Sequence, residues 1–256
     1  MTNRMTTIRR FSALALALPA ALALASCGSG DKAADGEAPK GEPVAAVPPP
    51  AGKQWNEVVS ATADGGMLMG NPNAPIKLVE YGSLSCPHCA KLANDGMATL
   101  ESKYVNSGKV SYEFHSFAIH GVIDVPLTVL VRCASPDAFF PLVGQIYSDQ
   151  TALMTRAEQG NDAAQAAQNL PPEQRFAALA NAFGLVDWFA ARGVSKDQAN
   201  ACLKDSSAAT KFAAESETAS REKGINSTPT LILNGSTLNL TTWKELEPAL
   251  QAAGAR

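Results

Sequence analysis

Two cysteines separated by two residues, Cys86-Pro87-His88-Cys89, constrain the fold of this 256-residue chain more than any other stretch. Thiols at that spacing can close a small disulfide and open it again when the backbone sets them at the junction of a strand and a helix. The flanks supply that junction. Ile76-Lys77-Leu78-Val79-Glu80-Tyr81 is a short, mostly apolar, branched run that predicts a strand, and the residues from Ala90 onward favour a helix. Pro87 suits the first helical turn, where no N–H is needed. Unpaired backbone N–H groups and the macrodipole at such a helix start favour a thiolate over a thiol. Cys86 is then the exposed nucleophile and Cys89 the resolving thiol. An imidazolium or ring N–H from His88 beside Cys86 would stabilise the charge further, and a stabilised dithiol makes the disulfide a stronger oxidant.

Two plainer readings compete. A zinc half-site needs a second close Cys/His pair, but the other cysteines stand alone at 27, 133 and 202. A purely structural disulfide seldom spans two residues at a helix start. His115 and His120 have no evident third ligand nearby, so both read as ordinary polar or partly buried side chains and no metal site is expected.

The first 26 residues read as a targeting segment. Arg4, Arg9 and Arg10 precede an apolar run from Phe11 to Ala25 that is too short and too alanine-rich for a membrane span. Export of this kind leads to a compartment where disulfides persist. Leu24-Ala25-Ser26-Cys27 looks like a bacterial lipobox, with Cys27 as the lipidated first residue of the mature chain; ordinary cleavage after Ala25 is the alternative. Residues 27–54, rich in Pro, Ala and Gly, predict a disordered tether with almost nothing to bury. Loss of the three leader arginines, with no acid lost, takes the formal net charge from −3 to −6. Nothing basic points to nucleic acid.

From Trp55 to Met69 the chain reads as an entry strand with a turn near Asp64-Gly65-Gly66. Val110 to Ser116 alternates like a half-buried strand. From about residue 121 to 224 the periodicity is helical, and Phe139, Val143, Ile146 and Tyr147 form a stripe that reads as core, as do Phe176, Leu179, Ala180 and Phe183. Ser195-Lys196-Asp197-Gln198 predicts a capped helix start before Cys202. Gly224 predicts a helix end, Asn234-Gly235 a hairpin, and Thr242-Trp243-Lys244-Glu245 the final helix.

Gly70-Asn71-Pro72-Asn73-Ala74-Pro75, the strand ending in Glu80-Tyr81, the Cys86-Pro87-His88-Cys89 run and, far downstream, Ser227-Thr228-Pro229-Thr230 together resemble the DsbA-like thiol:disulfide oxidoreductases. The resemblance implies an α/β thioredoxin-like fold, spanning residues 55–256, with a large all-helical insertion between its two halves. It carries the family's nucleophile onto Cys86, its resolving thiol onto Cys89, its dipeptide histidine onto His88 and its cis-proline onto Pro229. Thr228 would then lie beside Cys86, ready to pair with an extended substrate. Glu80 takes the place of the buried acid that relays protons for the second thiol. Some relatives carry a second disulfide in the insertion, where Cys133 and Cys202 stand; a structural bridge fits an exported protein, and electron shuttling with Cys86 and Cys89 is the alternative.

The activity implied is oxidation of reduced or misoxidised exported proteins, with reoxidation by a quinone-linked, DsbB-like membrane partner and no bound cofactor. The place implied is the periplasm, with a lipid anchor at Cys27 and the outer membrane favoured by Gly28. Thr228 also occurs before the cis-proline in isomerase-type relatives, so reductase or isomerase chemistry is the alternative within the fold. A non-catalytic binding lipoprotein is the alternative outside it.

Overall fold

The computed structural model describes Gly36 and residues 38–256, all within one compact unit. The segment expected to be a leader, and Cys27, lie outside the described residues. Six strands form one sheet: β1 (Val59–Ala61), β2 (Met67–Met69), β3 (Ile76–Gly82), β4 (Val110–Ser116), β5 (Thr230–Leu233) and β6 (Ser236–Leu238). Their order is β1-β2-β4-β3-β5-β6, with β3 and β4 parallel and every other pair antiparallel. A parallel pair needs a crossover. Here it is α1 (Pro87–Thr99), continued by one further helical stretch to Val105. The residues read as one entry strand form two, because the Thr62 side chain closes the turn between them: Gly66 N–H donates to Thr62 Oγ1 at 2.9 Å.

Between β4 and β5 lies an all-helical insertion: α2 (Gly121–Cys133), α3 (Phe139–Ser148), α4 (Gln150–Gln159), α5 (Asn161–Gln168), α6 (Pro172–Ala182), α7 (Leu185–Ala190), α8 (Lys196–Lys204) and α9 (Ser206–Lys223). The chain therefore has a thioredoxin-like fold interrupted by helices. Phe139, Val143, Ile146 and Tyr147 are buried, as are Leu179, Ala180 and Phe183, so the helical stripes build core. Ser195 caps α8 by accepting from Gln198 N–H at 3.2 Å, while the Gln198 side chain donates to the Cys133 carbonyl at 2.9 Å. Cys133 and Cys202 are joined, tying the end of α2 to α8 across 69 residues of sequence. Gly224, at φ 68°, ends α9 in the left-handed conformation that suits glycine.

The segment expected to be a free tether is, over its described part, a docked strap. Backbone N–H groups of Gly36, Gly41, Val44 and Val47 donate to the carbonyls of Thr237, Ala252, Gly254 and Ser107 at 2.8 to 2.9 Å. The buried Trp55 indole then donates to the Val47 carbonyl at 2.8 Å. Ala38 and Val44 pack against the core, but most of the docking of this segment of small residues and prolines is by its backbone. The partners at 252 and 254 belong to the stretch that follows α10 (Trp243–Leu250). There Gly254 has φ 111°, and a Cβ on it would strike the Glu42 carbonyl.

The register prepares the site. Tyr81 pairs with Thr230, so the residues just before β5 lie beside the end of β3, from which the chain turns toward Cys86. The Thr228–Pro229 peptide bond is cis.

Candidate active site

Cys86 occupies the N-cap of α1, with φ −78° and ψ 121°, and Pro87 follows it in the first helical position. Its carbonyl accepts the first helical bond, from Ala90 N–H at 3.1 Å. Its thiol donates to the Thr228 carbonyl at 3.3 Å, across 142 residues of sequence. Cys86 and Cys89 are both free thiols.

Exposure departs from the sequence reading. Cys86 retains only 6% of its surface, and Cys89 none. The expected exposed nucleophile is thus covered, its sulfur lying against the Thr228 carbonyl.

Electrostatics nonetheless separates the two thiols. Cys86 is lowered from 9.0 to about 5, first by the hydrogen bond from the Cys89 thiol, then by the Thr228 side chain and the backbone N–H groups of Cys89 and His88, all against burial. Thr228 Oγ1 is buried without a partner, a hydroxyl free to turn to the sulfur once that ionises. Burial pushes the Cys89 thiol upward instead, reinforced by its hydrogen bond to Cys86 and by the charge of Glu80. His88 contributes differently from expectation: its side chain lies at the exposed surface and its backbone N–H serves the thiolate.

Glu80 is buried on β3 and accepts from Tyr112 Oη at 2.7 Å through one oxygen, while the other has no partner. Burial raises it from 4.5 to about 7, the Tyr112 bond opposing and the Cys86 charge adding. A group titrating near neutrality and electrostatically coupled to Cys89 is suited to giving and taking a proton there.

Asp124 and Gln150 were not singled out from sequence, and His120 and Tyr147 were not assigned to this site. Asp124 on α2 is 1% exposed and accepts from Ser83 Oγ at 3.0 Å, Ser85 N–H at 3.1 Å and His120 N–H at 2.8 Å. His120 Nδ1 lies 2.9 Å from Ser85 Oγ. Tyr147 Oη donates to the Ser83 carbonyl at 3.3 Å, and Gln150 Nε2 reaches the carbonyls of Leu84 and Cys86. A lone acid within the apolar run Val122-Ile123-Asp124-Val125 was the one available signal, since an unpaired charge there would be costly.

His115 does have acidic neighbours, contrary to expectation. Its Nε2 lies 2.8 Å from Glu113 Oε1 and 4.0 Å from Asp64 Oδ1, one ligand atom from each of the three lying within 4.8 Å of the others. Residue spacing concealed this because Asp64 arrives from the β1–β2 turn. Lys223 Nζ already neutralises Asp64 at 3.1 Å.

A family model described as thioredoxin matches residues 62–252. The crystal structure of protein-disulfide isomerase from Novosphingobium aromaticivorans is similar over 75% of this chain and 98% of that one, at 30% identity and a TM-score of 0.70. Wolbachia pipientis alpha-DsbA1 shares the fold, with 19% identity, 73% and 89% of the two chains covered and a TM-score of 0.57. A Rickettsia bellii protein named for protein-disulfide oxidoreductase activity is 33% identical over 84 residues, 33% of this chain and 32% of that protein. The chain thus aligns with about a third of the length of that relative.

Proposed function

On the premise that this chain belongs to the thioredoxin family and is built like the DsbA-type thiol-disulfide oxidoreductases, we propose that it exchanges disulfides in exported proteins through Cys86 and Cys89. One observation carries this reading: the Cys86 sulfur stands at a helix N-terminus, 3.3 Å from the Thr228 carbonyl that precedes Pro229. Proline offers no N–H at that edge, so the Thr228 backbone remains to pair with an extended substrate segment.

In the oxidising direction a substrate thiolate attacks Cys86 of the Cys86–Cys89 disulfide. That bond breaks, a mixed disulfide forms, and Cys89 departs, taking its proton from Glu80. A second substrate thiolate then attacks the substrate sulfur of the mixed disulfide and expels Cys86 as a thiolate. Two electrons have passed from substrate to protein. The leaving step is eased by the low pKa of Cys86, about 5, and the same stabilisation of the dithiol makes its disulfide oxidising. Reoxidation falls to a quinone-linked, DsbB-like membrane partner.

A reductase or isomerase is the second reading, favoured by Thr228 before the cis-proline and by the 30% identical structure, that of a protein-disulfide isomerase. The Cys133–Cys202 bridge is assigned a structural role. Secretion by residues 1–26 and lipidation of Cys27 would hold the domain in the periplasm, with the outer membrane favoured. No helix among the described residues is long and apolar enough to cross a membrane.

The test is the equilibrium of the Cys86–Cys89 pair with a glutathione buffer, together with oxidative refolding of a reduced protein. An oxidising potential and refolding lost in Cys86→Ser are expected. A strongly reducing potential would shift the assignment to a reductase. Refolding and disulfide reduction that Cys86→Ser leaves untouched would reduce the fold to a binding role. Trapping with Cys89→Ala should leave the substrates attached to Cys86.

A further inference from the structure

The loop that delivers Cys86 is gripped by side chains from the helical insertion. Asp124 and Tyr147 hold its beginning at Ser83 and Ser85. Its end is held by Gln150, the first residue of α4, which is 7% exposed. One nitrogen, Nε2, donates to the Leu84 carbonyl at 2.9 Å and to the Cys86 carbonyl at 3.1 Å. The neighbouring Asp149 turns elsewhere, to the Trp188 indole at 3.0 Å and the Arg192 guanidinium at 2.7 Å. Burying a carboxamide is costly unless it is bonded, and here both N–H donors are spent on two consecutive stretches of one loop.

The Cys86 carbonyl is the hinge of the site. It closes the first turn of α1 through Ala90 N–H, and the ψ of 121° that directs it also sets Cys86 as N-cap, with its sulfur served by the N–H groups of His88 and Cys89. With Gln150 as a second donor beside Ala90 N–H, that carbonyl is held from two directions.

We propose that Gln150 is a positioning residue for thiol exchange, its carboxamide locking the Cys86 carbonyl so that the sulfur stays over the free N–H groups of α1. This rests on the reading of Cys86 as the nucleophile. Gln150 touches no reacting atom and acts through the backbone that carries one.

The test compares the full chain with Gln150→Leu, which keeps the bulk and removes both donors, by following thiolate ultraviolet absorbance against pH. The dithiol–disulfide equilibrium with glutathione is measured in parallel. The expected result is a Cys86 titration about one unit higher and an equilibrium moved about tenfold toward the disulfide. If the leucine variant does not fold, Gln150→Ser, which leaves room for water against the two carbonyls, is measured instead, with the same shift expected in smaller degree. A titration and an equilibrium both unmoved, with the dithiol and disulfide forms losing thermal stability equally, would overturn the proposal. The outcomes are separable: a wild-type chain unable to exchange disulfides sinks the nucleophile reading, and an active wild type with an unmoved variant sinks only the role of Gln150.

Discussion

Two residues of opposite chemistry meet near the start of α1, a thiol that ionises at about 5 and a carboxylic acid that holds its proton to about 7. The acid is the more informative of the two, because its shift runs against folding. Glu80 titrates above its ordinary 4.5 chiefly through burial, so its presence costs nothing below pH 4.5 and destabilises the fold increasingly as pH rises through 7. Glu80→Gln should therefore leave urea stability nearly unchanged at acid pH and raise it above pH 7, by up to roughly 3 kcal/mol. Tyr112 keeps an oxygen to donate to. The same variant should slow formation of the mixed disulfide by about tenfold or more, since glutamine carries no exchangeable acid for the departing Cys89. Stability that falls above pH 7, or formation of the mixed disulfide at the wild-type rate, would remove Glu80 from the proton path. Glu80 could be found from sequence only through family resemblance. A single acid within a strand gives no signal by itself, and its meaning comes from Tyr112, 32 residues away on β4.

At the scale of elements, what was legible in the sequence is what repeats or is spaced locally. The Cys86–Cys89 interval, the strand before it, the helical stripe through Phe139, Val143, Ile146 and Tyr147, and the Asn234-Gly235 hairpin all rest on near neighbours in the chain. The strap was not legible, since a stretch of Pro, Ala and Gly has the composition of a linker and docks by backbone bonds that leave no periodic trace. Asp124 and Gln150 were hidden for a related reason: their partners in the loop before α1 lie 39 to 66 residues away. The strap carries its own prediction. Gly254 holds φ 111° and leaves no room for a Cβ beside the Glu42 carbonyl. Gly254→Ala should then destabilise the chain by about 1 to 3 kcal/mol in chemical denaturation. The thiol titration should not move, because Val47 docks at Ser107, before β4 begins, whereas Cys86 follows the far end of β3. An altered titration would mean that the strap reaches the redox site.

For the molecule as a whole, two cysteine pairs act on stability in different ways. Opening the Cys133–Cys202 bridge with alanines at both positions frees a loop of 69 residues, which should cost about 4 kcal/mol in the chain-entropy account and lower the melting temperature of dithiol and disulfide forms alike. The Cys86–Cys89 pair instead links stability to pH, and only when reduced. The folded value for Cys86, about 5, lies below the ordinary 9.0, so the stability its thiolate contributes is complete above 9 and disappears as pH falls through 5. Cys89 works in the opposite sense, because burial keeps it protonated while the unfolded chain would ionise above 9. Between pH 5 and 9 the Cys86 contribution therefore dominates, and above 9 that of Cys89 erodes it. The disulfide form has neither thiol, so subtracting its melting temperature from that of the dithiol form removes most other titrations from the comparison. That difference should climb by several degrees from pH 5 to 9 and then fall. A flat difference would mean that the folded protein does not hold Cys86 as a thiolate, and the driving force for oxidising a substrate would be missing.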